Sequence, residues 1–505
     1  MSRTAAPKAN STAAEGEGTP VSRTAAPKAN STAAEGEGTP VNEAIAVTGS
    51  RGWPGAACLI VVALGTLAHL FWPRAGAVWV MGAAAALFLL LEHRRIPPSI
   101  RRMSLAVGSA SLLMLPFSAA PIASLAKGIA IGGLLVSLVS SVSLLARAAL
   151  HSPHTHVVTQ HLLASSMRSR YAWFSVAAQL FGGLLGMAGV TLLLQMASRG
   201  EFAVEEDRLA MFAAINRSFA AATLWSPMVS NLTILVALYP GLDWFTIVPL
   251  TLGLAVSAVL IGTALDLWRL RGRKTPAPAA RPDIALYRAL LPMIAAMAGF
   301  LGAVMLLAQA LHIAVVGAIV VLIPPAVLAL HRAQAKGPHR LAQAFALLRT
   351  DVLALPALAG EVALFMVAGC GGTIIASAVP PAWTATIGGA LSHSPVLACL
   401  ALMLAIIALG FMAVHPVLSA VLVASSLPPG VLHLAPMPHL AAILVGWAIA
   451  TCSTPFSMIA LMTSRYSGFS IYAVTVRVNH VFALICLGVA ALALGIGSAM
   501  VQVHP

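Results

Sequence analysis

Two groups of hydroxyl and amide side chains, each set around a proline in an otherwise apolar stretch, hold the chemistry this sequence offers. The first is Thr223, Trp225, Ser226, Pro227, Ser230, Asn231 and Thr233; the second is Thr451, Ser453, Thr454, Pro455 and Ser457. Proline lacks the backbone N–H and interrupts a helix, so each group should sit beside freed carbonyls. Such carbonyls, with Ser, Thr and Asn oxygens, suit Na⁺, and helix N-termini exposed at a break suit an anion. The plainer alternative for any one Ser or Thr is a hydrogen bond back to its own helix. His415-Pro416 interrupts a third apolar stretch. An imidazole at that depth is either a packed neutral ring or a proton or substrate ligand. Arg217 lies about nine residues into the first stretch, too deep to reach water easily. It would either neutralise an anionic substrate or pair with an acid. Asp266, Glu361, Arg465 and Arg477 fall near span ends and read as interfacial anchors.

Other chemistries find little support. His151, His154, His156 and His161 are clustered but lack Cys or carboxylate companions, so a metal site is disfavoured. The five cysteines lie in or beside apolar segments without paired spacing, which suggests neither disulfides nor zinc. There is no phosphate-cradling Gly-Lys-Ser/Thr loop and no nucleophile elbow. No resident cofactor is expected; Na⁺ enters as a candidate coupling ion.

The elements that must position these residues follow from composition. Of 505 residues, 59% are hydrophobic and 9% charged, with mean hydropathy +0.92. A soluble domain carries about 25% charged residues. Apolar runs of about 20 residues recur, the length that crosses roughly 30 Å of hydrocarbon as a helix. The expected fold is an all-α polytopic membrane protein. Spans are placed at about 53–72, 77–93, 104–122, 127–147, 171–198, 243–268, 290–309, 312–331, 355–379, 395–427 and 471–500. The net charge of +14 is confined to short loops, the pattern of basic loops retained in the cytoplasm rather than of nucleic-acid binding. With 171–198 taken as one span, the acidic loop Glu201, Glu205, Glu206 and Asp207 falls on the opposite side. The stretches 208–240 and 436–466 are then two re-entrant hairpins opening from opposite faces. Eleven spans and two hairpins result.

An internal repeat supports this organisation. Residues 212–227 and 440–455 share seven identities in sixteen at an offset of 228, where Ala-rich composition would give about one or two. The same offset lays 171–198 on 399–426. Opposite orientation of the copies makes an inverted repeat, the symmetry of secondary transporters. The domains expected are a disordered cytoplasmic tail at 1–50, repeat 1 with an extra first helix at 53–268, a basic linker at 269–289 and repeat 2 at 290–500. The tail holds an exact duplication, residues 2–20 recurring at 22–40.

These features resemble the ion transporter superfamily, which includes divalent anion/sodium symporters and arsenite permease-like proteins. The resemblance is carried by Ser230-Asn231-Leu232-Thr233 after Ser226-Pro227, and by Ser453-Thr454-Pro455-Phe456-Ser457, which lacks the asparagine of the family's Ser-Asn-Thr motif. It implies about eleven spans, two inverted repeats with a re-entrant hairpin each, and a site where breaks meet near the midplane. The expected activity is secondary active transport of a small anionic solute across a bacterial inner membrane, coupled to Na⁺ or H⁺. The alternatives are a membrane subunit of a multi-component transport complex and a polytopic lipid-linked glycan transferase. Expected partners are the solute and the lipid bilayer, with a homodimer left open and no nucleic acid.

Overall fold

The computed structural model describes residues 52–73, 75–118, 120–150, 167–200, 202, 204–239, 241–269, 271 and 284–503. The N-terminal tail with its duplication, the histidine loop and most of the 269–289 linker lie outside the described residues. Contacts divide the chain into Met1–Val47 and Thr48–Pro505, and the second unit holds every described residue.

The described residues are all-α, and the chain is a polytopic membrane protein. Four helices come first: α1 (Trp53–Phe71), α2 (Ala75–Leu91), α3 (Pro98–Met114) and α4 (Pro121–Leu150). They are followed by α5 (Met167–Ala177), α6 (Met187–Ser198), α7 (Glu205–Ala222), α8 (Ser230–Leu238) and α9 (Trp244–Arg269). The second half contains α10 (Ile284–Leu311), α11 (Val315–Gln334), α12 (Arg340–Leu353), α13 (Ala359–Ala378), α14 (Pro381–Leu391), α15 (Pro395–Phe411) and α16 (Pro416–Ser426). It ends with α17 (Pro436–Ser453), α18 (Met458–Ser467) and α19 (Val478–Val503). A π-helical turn, Ala178–Gly182, extends α5 through Leu185, and another, Ala473–Arg477, leads into α19.

Helices α4 and α13 form the most extensive pair. They run antiparallel, with Gly128 against Cys370 and Gly132 against Met366. A Cβ on Gly369 would lie 2.6 Å from the Gly132 nitrogen. Small residues let two backbones approach where no water-driven force holds helices together.

The directions of the central helices revise the expected topology. Tyr171 Oη donates to the Asp207 carbonyl (3.0 Å), and Gln179 Nε2 donates to the Ser218 carbonyl (2.7 Å). Ser226 Oγ reaches the Gly183 carbonyl. These bonds climb in step, so α5 and α7 are parallel. At Gly186 the backbone takes φ +56°, a left-handed conformation open to glycine, and the chain turns back. Gly189 then packs on the Phe181 carbonyl. The α5–α6 unit is therefore a re-entrant hairpin, where a single span was expected.

Conversely, α7 and α8 run on in one direction. Arg217 on α7 meets Asp266 near the end of α9, and Trp244 at the start of α9 donates to the Trp225 carbonyl (3.2 Å). Helix α7 thus begins at the end of the bundle where α9 finishes. Beyond the break, α8 is followed by Tyr239, whose hydroxyl meets His439 Nδ1 (2.6 Å) at the start of α17. That stretch crosses the bundle as a broken span and is not the hairpin read from the sequence.

Residues 436–467 likewise run on past their break, in the opposite direction to 205–238. Helix α17 runs antiparallel to α19, with Ala435 N–H on Ser498 Oγ (3.0 Å) at one end and Asn479 Nδ2 on the Cys452 carbonyl (2.7 Å) at the other. Helix α18 continues onward: its Thr463 donates to Asn216 Oδ1 (2.8 Å), and Tyr466 accepts from Gln195 Nε2 (3.0 Å). Residues 436–467 form one 32-residue apolar unit long enough to cross a membrane. Helix α15 descends with Gly410 against Thr454, and α16 returns so that Leu427 accepts from His439 Nε2 (2.8 Å). The hairpins and the broken stretches thus exchange roles, and among the described residues eight helical units are long and apolar enough to cross a membrane, where eleven spans were expected. The acidic start of α7 consequently lies at the same end as the basic end of α9, where opposite faces were expected. A proline break need not reverse a chain, whereas a left-handed turn can.

Candidate functional site

Each re-entrant tip is seated on the break of a crossing helix, and the two seats match across the repeat. In the first, Ser226 Oγ donates to the Gly183 carbonyl, accepts Met228 N–H (3.1 Å), and so pins the turn to the hairpin tip. Trp225 Nε1 donates to Gln179 Oε1 (2.9 Å) on the same hairpin. In the second, Thr454 packs on Gly410. Ser226 and Thr454 are 228 positions apart; Gly183 and Gly410 are 227 apart. Gly186 and Ala413, also 227 apart, both take positive φ (56° and 63°) where their hairpins turn. The second halves of the crossing helices begin 228 apart, at Ser230 and Met458. Helix α8 packs on α16, and α18 packs on α6, so each crossing helix leans on the other repeat's hairpin.

The structure sorts the residues expected to bind. Several hydroxyls bond back to their own helices: Thr223 to Ala220 (2.7 Å), Thr451 to Trp447 (2.9 Å), Ser453 to Ile449 (2.5 Å) and Thr454 to Ala450 (2.8 Å). Thr233 Oγ1 donates to the Pro227 carbonyl (3.1 Å) and Ser457 Oγ to the Thr451 carbonyl (2.7 Å), bracing the two turns. A hydroxyl that donates in this way keeps lone pairs. It can still ligate a cation, but it has no hydrogen left for a solute. Ser457 also accepts Ala460 N–H (3.2 Å) and caps α18. His415 caps α16: its Nδ1 accepts Val417 N–H (3.3 Å), which puts the proton of the neutral ring on Nε2.

Ser230 and Asn231 differ from the rest. Helix α8 has no side-chain cap, and among the described residues neither side chain has a hydrogen-bond partner. Asn231 is 5% exposed, so its amide sits at an uncapped helix start with its bonding capacity unspent. Helix N-termini and unpaired N–H groups favour an anion.

Arg217 takes the second of the roles left open for it. Its Nη1 donates to Asp266 Oδ1 (2.9 Å), Nε to Asn479 Oδ1 (2.8 Å) and Nη2 to the Val478 carbonyl (3.1 Å), and its guanidinium lies 5.4 Å from the centre of the Phe482 ring. With these donors engaged it pairs with an acid and is not poised to neutralise a solute. Asp266 is buried against Arg217 one turn before the end of α9, with Arg269 also 3.8 Å away. Glu361, in the first turn of α13, is half-buried, and Arg465 and Arg477 are exposed. Gln179, Gly183 and Asn479 were not anticipated. The Gly-rich run Gly182–Gly189 could have signalled the tip; nothing in the local sequence singles out Asn479. Among the described residues no group of His, Cys, Asp and Glu is arranged to hold a metal.

The two seats differ in access. At the first, Met228 and Leu185 are 5% and 4% exposed. Their counterparts at the second, Phe456 and Met412, are 54% and 72% exposed.

No protein-family model matches the sequence, and no curated protein does. Among solved structures the chain is similar to the YdaH transporter of Alcanivorax borkumensis, at 17% identity over 71% of this chain and 84% of that one, TM-score 0.42. It is also similar to MtrF of Neisseria gonorrhoeae, described within a class of antimetabolite efflux pumps, at 11% identity over 71% and 79% of the two chains, TM-score 0.37. Neither likeness is close enough to assign this chain an activity.

Proposed function

We propose that this protein is a secondary active transporter for a small anionic solute, coupled to Na⁺ or H⁺. The observation that carries the reading is the pair of re-entrant tips seated on helix breaks at repeat-matched positions, Gly183 on Ser226 and Gly410 on Thr454. Irregular backbone at membrane depth is tolerated where it is buried in protein or lines a wet cavity. Two inverted copies that meet there allow one site to be reached alternately from either face. The unspent amide of Asn231 at the uncapped start of α8 supports an anionic solute, and the lone pairs of Thr451, Ser453, Thr454 and Ser457 support a cation nearby. The basic ends of α4, α9 and α11 favour a cytoplasmic location for that face, and with it a cytoplasmic N-terminus in a bacterial inner membrane. The resemblance to the ion transporter superfamily fits this architecture.

The test is uptake into proteoliposomes of radiolabelled organic anions, chosen by thermal-shift screening with and without Na⁺. The wild type should accumulate at least one anion under an imposed ion gradient, and Asn231→Ala should not. Failure of every screened anion to bind or move, or wild-type uptake by Asn231→Ala, would refute the assignment.

A further inference from the structure

The polar network around Arg217 has no counterpart in the other repeat. The positions 228 away from Arg217, Asp266 and Asn479 are Val445, Leu494 and Thr251. All three mirror residues are buried, and Thr251 bonds back to the Ile247 carbonyl (3.2 Å). Repeat 2 therefore carries two buried apolar residues at the positions where repeat 1 keeps an arginine and an aspartate. Buried charge is costly, and replacing an ion pair with hydrophobic residues is often neutral or stabilising. The network's retention in one repeat alone calls for a purpose other than folding.

Its connections show where it leads. Arg217 holds the Oδ1 of Asn479, which orients the amide. Asn479 Nδ2 then donates to the Cys452 carbonyl (2.7 Å), next to Ser453 and Thr454 at the end of α17. That carbonyl is one of those a helix leaves without an intrahelical partner at its C-terminus. On the first repeat the break is pinned by Ser226, which bonds the hairpin tip directly. Thr454 makes no such bond; its hydroxyl returns to Ala450. We propose that Arg217 and Asn479 are positioning residues for the second break, holding the end of α17 from across the repeat boundary where Thr454 does not. This rests on the proposed function only in treating that break as half of the transport site.

A readout that needs no solute separates the two proposals. In the full-length protein with its five cysteines replaced by alanine, Thr454→Cys and Ser226→Cys report the second and first breaks; both native residues are 1% exposed. Adding Asn479→Thr, the mirror residue, removes the bond to the Cys452 carbonyl. The rate of N-ethylmaleimide labelling at position 454 should then rise about tenfold, the order expected when a buried hydrogen bond is lost, while position 226 keeps its rate. Arg217→Lys retains the charge facing Asp266 but loses the Nε bond to Asn479, and should act in the same direction if Asn479→Thr does not fold. An unchanged rate at 454, or an equal rise at both positions, would overturn the proposal. If the wild type moves no anion, the transporter reading fails while the labelling result stands.

Discussion

Replacing Asp266 by leucine should be among the most destabilising single changes in the membrane unit. Asp266 and Arg217 are each 2% exposed and 2.9 Å apart, so the substitution leaves a guanidinium buried without its counterion. Arg269 is 3.8 Å from Asp266 and about a third exposed, so it can turn to water; Arg217 cannot. Removing one partner of a buried pair costs about 3–5 kcal/mol. Adding Arg217→Val gives both positions the residue types that repeat 2 carries there, Val445 and Leu494. The double variant gives up the bond to Asn479, worth about 1 kcal/mol, but buries no unpaired charge. It should therefore recover most of the loss. The measurement is equilibrium unfolding by sodium dodecyl sulfate in mixed micelles, followed by circular dichroism for wild type, both single variants and the double. A single-variant loss under about 1 kcal/mol, or a double variant as unstable as Asp266→Leu, would refute the reasoning.

Asn231→Ala should abolish transport while leaving the unfolding midpoint unchanged, because the amide makes no hydrogen bond among the described residues; a lowered midpoint would show a structural role. Ala413→Gly should stabilise by about 1 kcal/mol, since φ of +63° strains an L-residue and glycine adopts it freely; the same unfolding assay reads it. Gly369→Leu should prevent recovery of monodisperse protein on size exclusion, because its side chain would enter the Gly132 backbone. Asp243, in the exposed turn before α9, accepts from the hydroxyl and N–H of Thr246, which hold its pKa below the ordinary value of 3.8. Its modest contribution is thus present above the unfolded pKa and lost as pH falls through the lower folded one. Asp243→Ala should flatten that part of the stability profile, and an unaltered acid limb would contradict it.

Much of this architecture was legible in the sequence, for physical reasons. Spans such as α1, α9 and α11 were found because hydrocarbon demands long apolar helices, and the offset of 228 was visible because the two breaks keep their alanines, threonine and proline. Which breaks reverse the chain was not legible. Pro227 and Pro455 look like hairpin turns, yet each lets its helix resume in the same direction. The reversals occur at Gly186 and Ala413, and alanine carries no local signal for a left-handed turn. The depth of Arg217 marked it as functional, but its partners Asp266 and Asn479 are brought to it only by the crossing of α7 with α9 and α19. Back-bonding of Thr223, Thr451 and Thr454 was the plainer reading of those hydroxyls, and it is what they do.

In this topology 205–238 and 436–467 cross the membrane as broken spans while 167–198 and 395–426 turn back. It is tested most directly by introducing Glu205→Cys and Asp243→Cys separately into sealed vesicles of known orientation and labelling with a membrane-impermeant maleimide. The two positions should be labelled from opposite sides. Labelling of both from one side would mean that 208–240 is a re-entrant hairpin, and would contradict it.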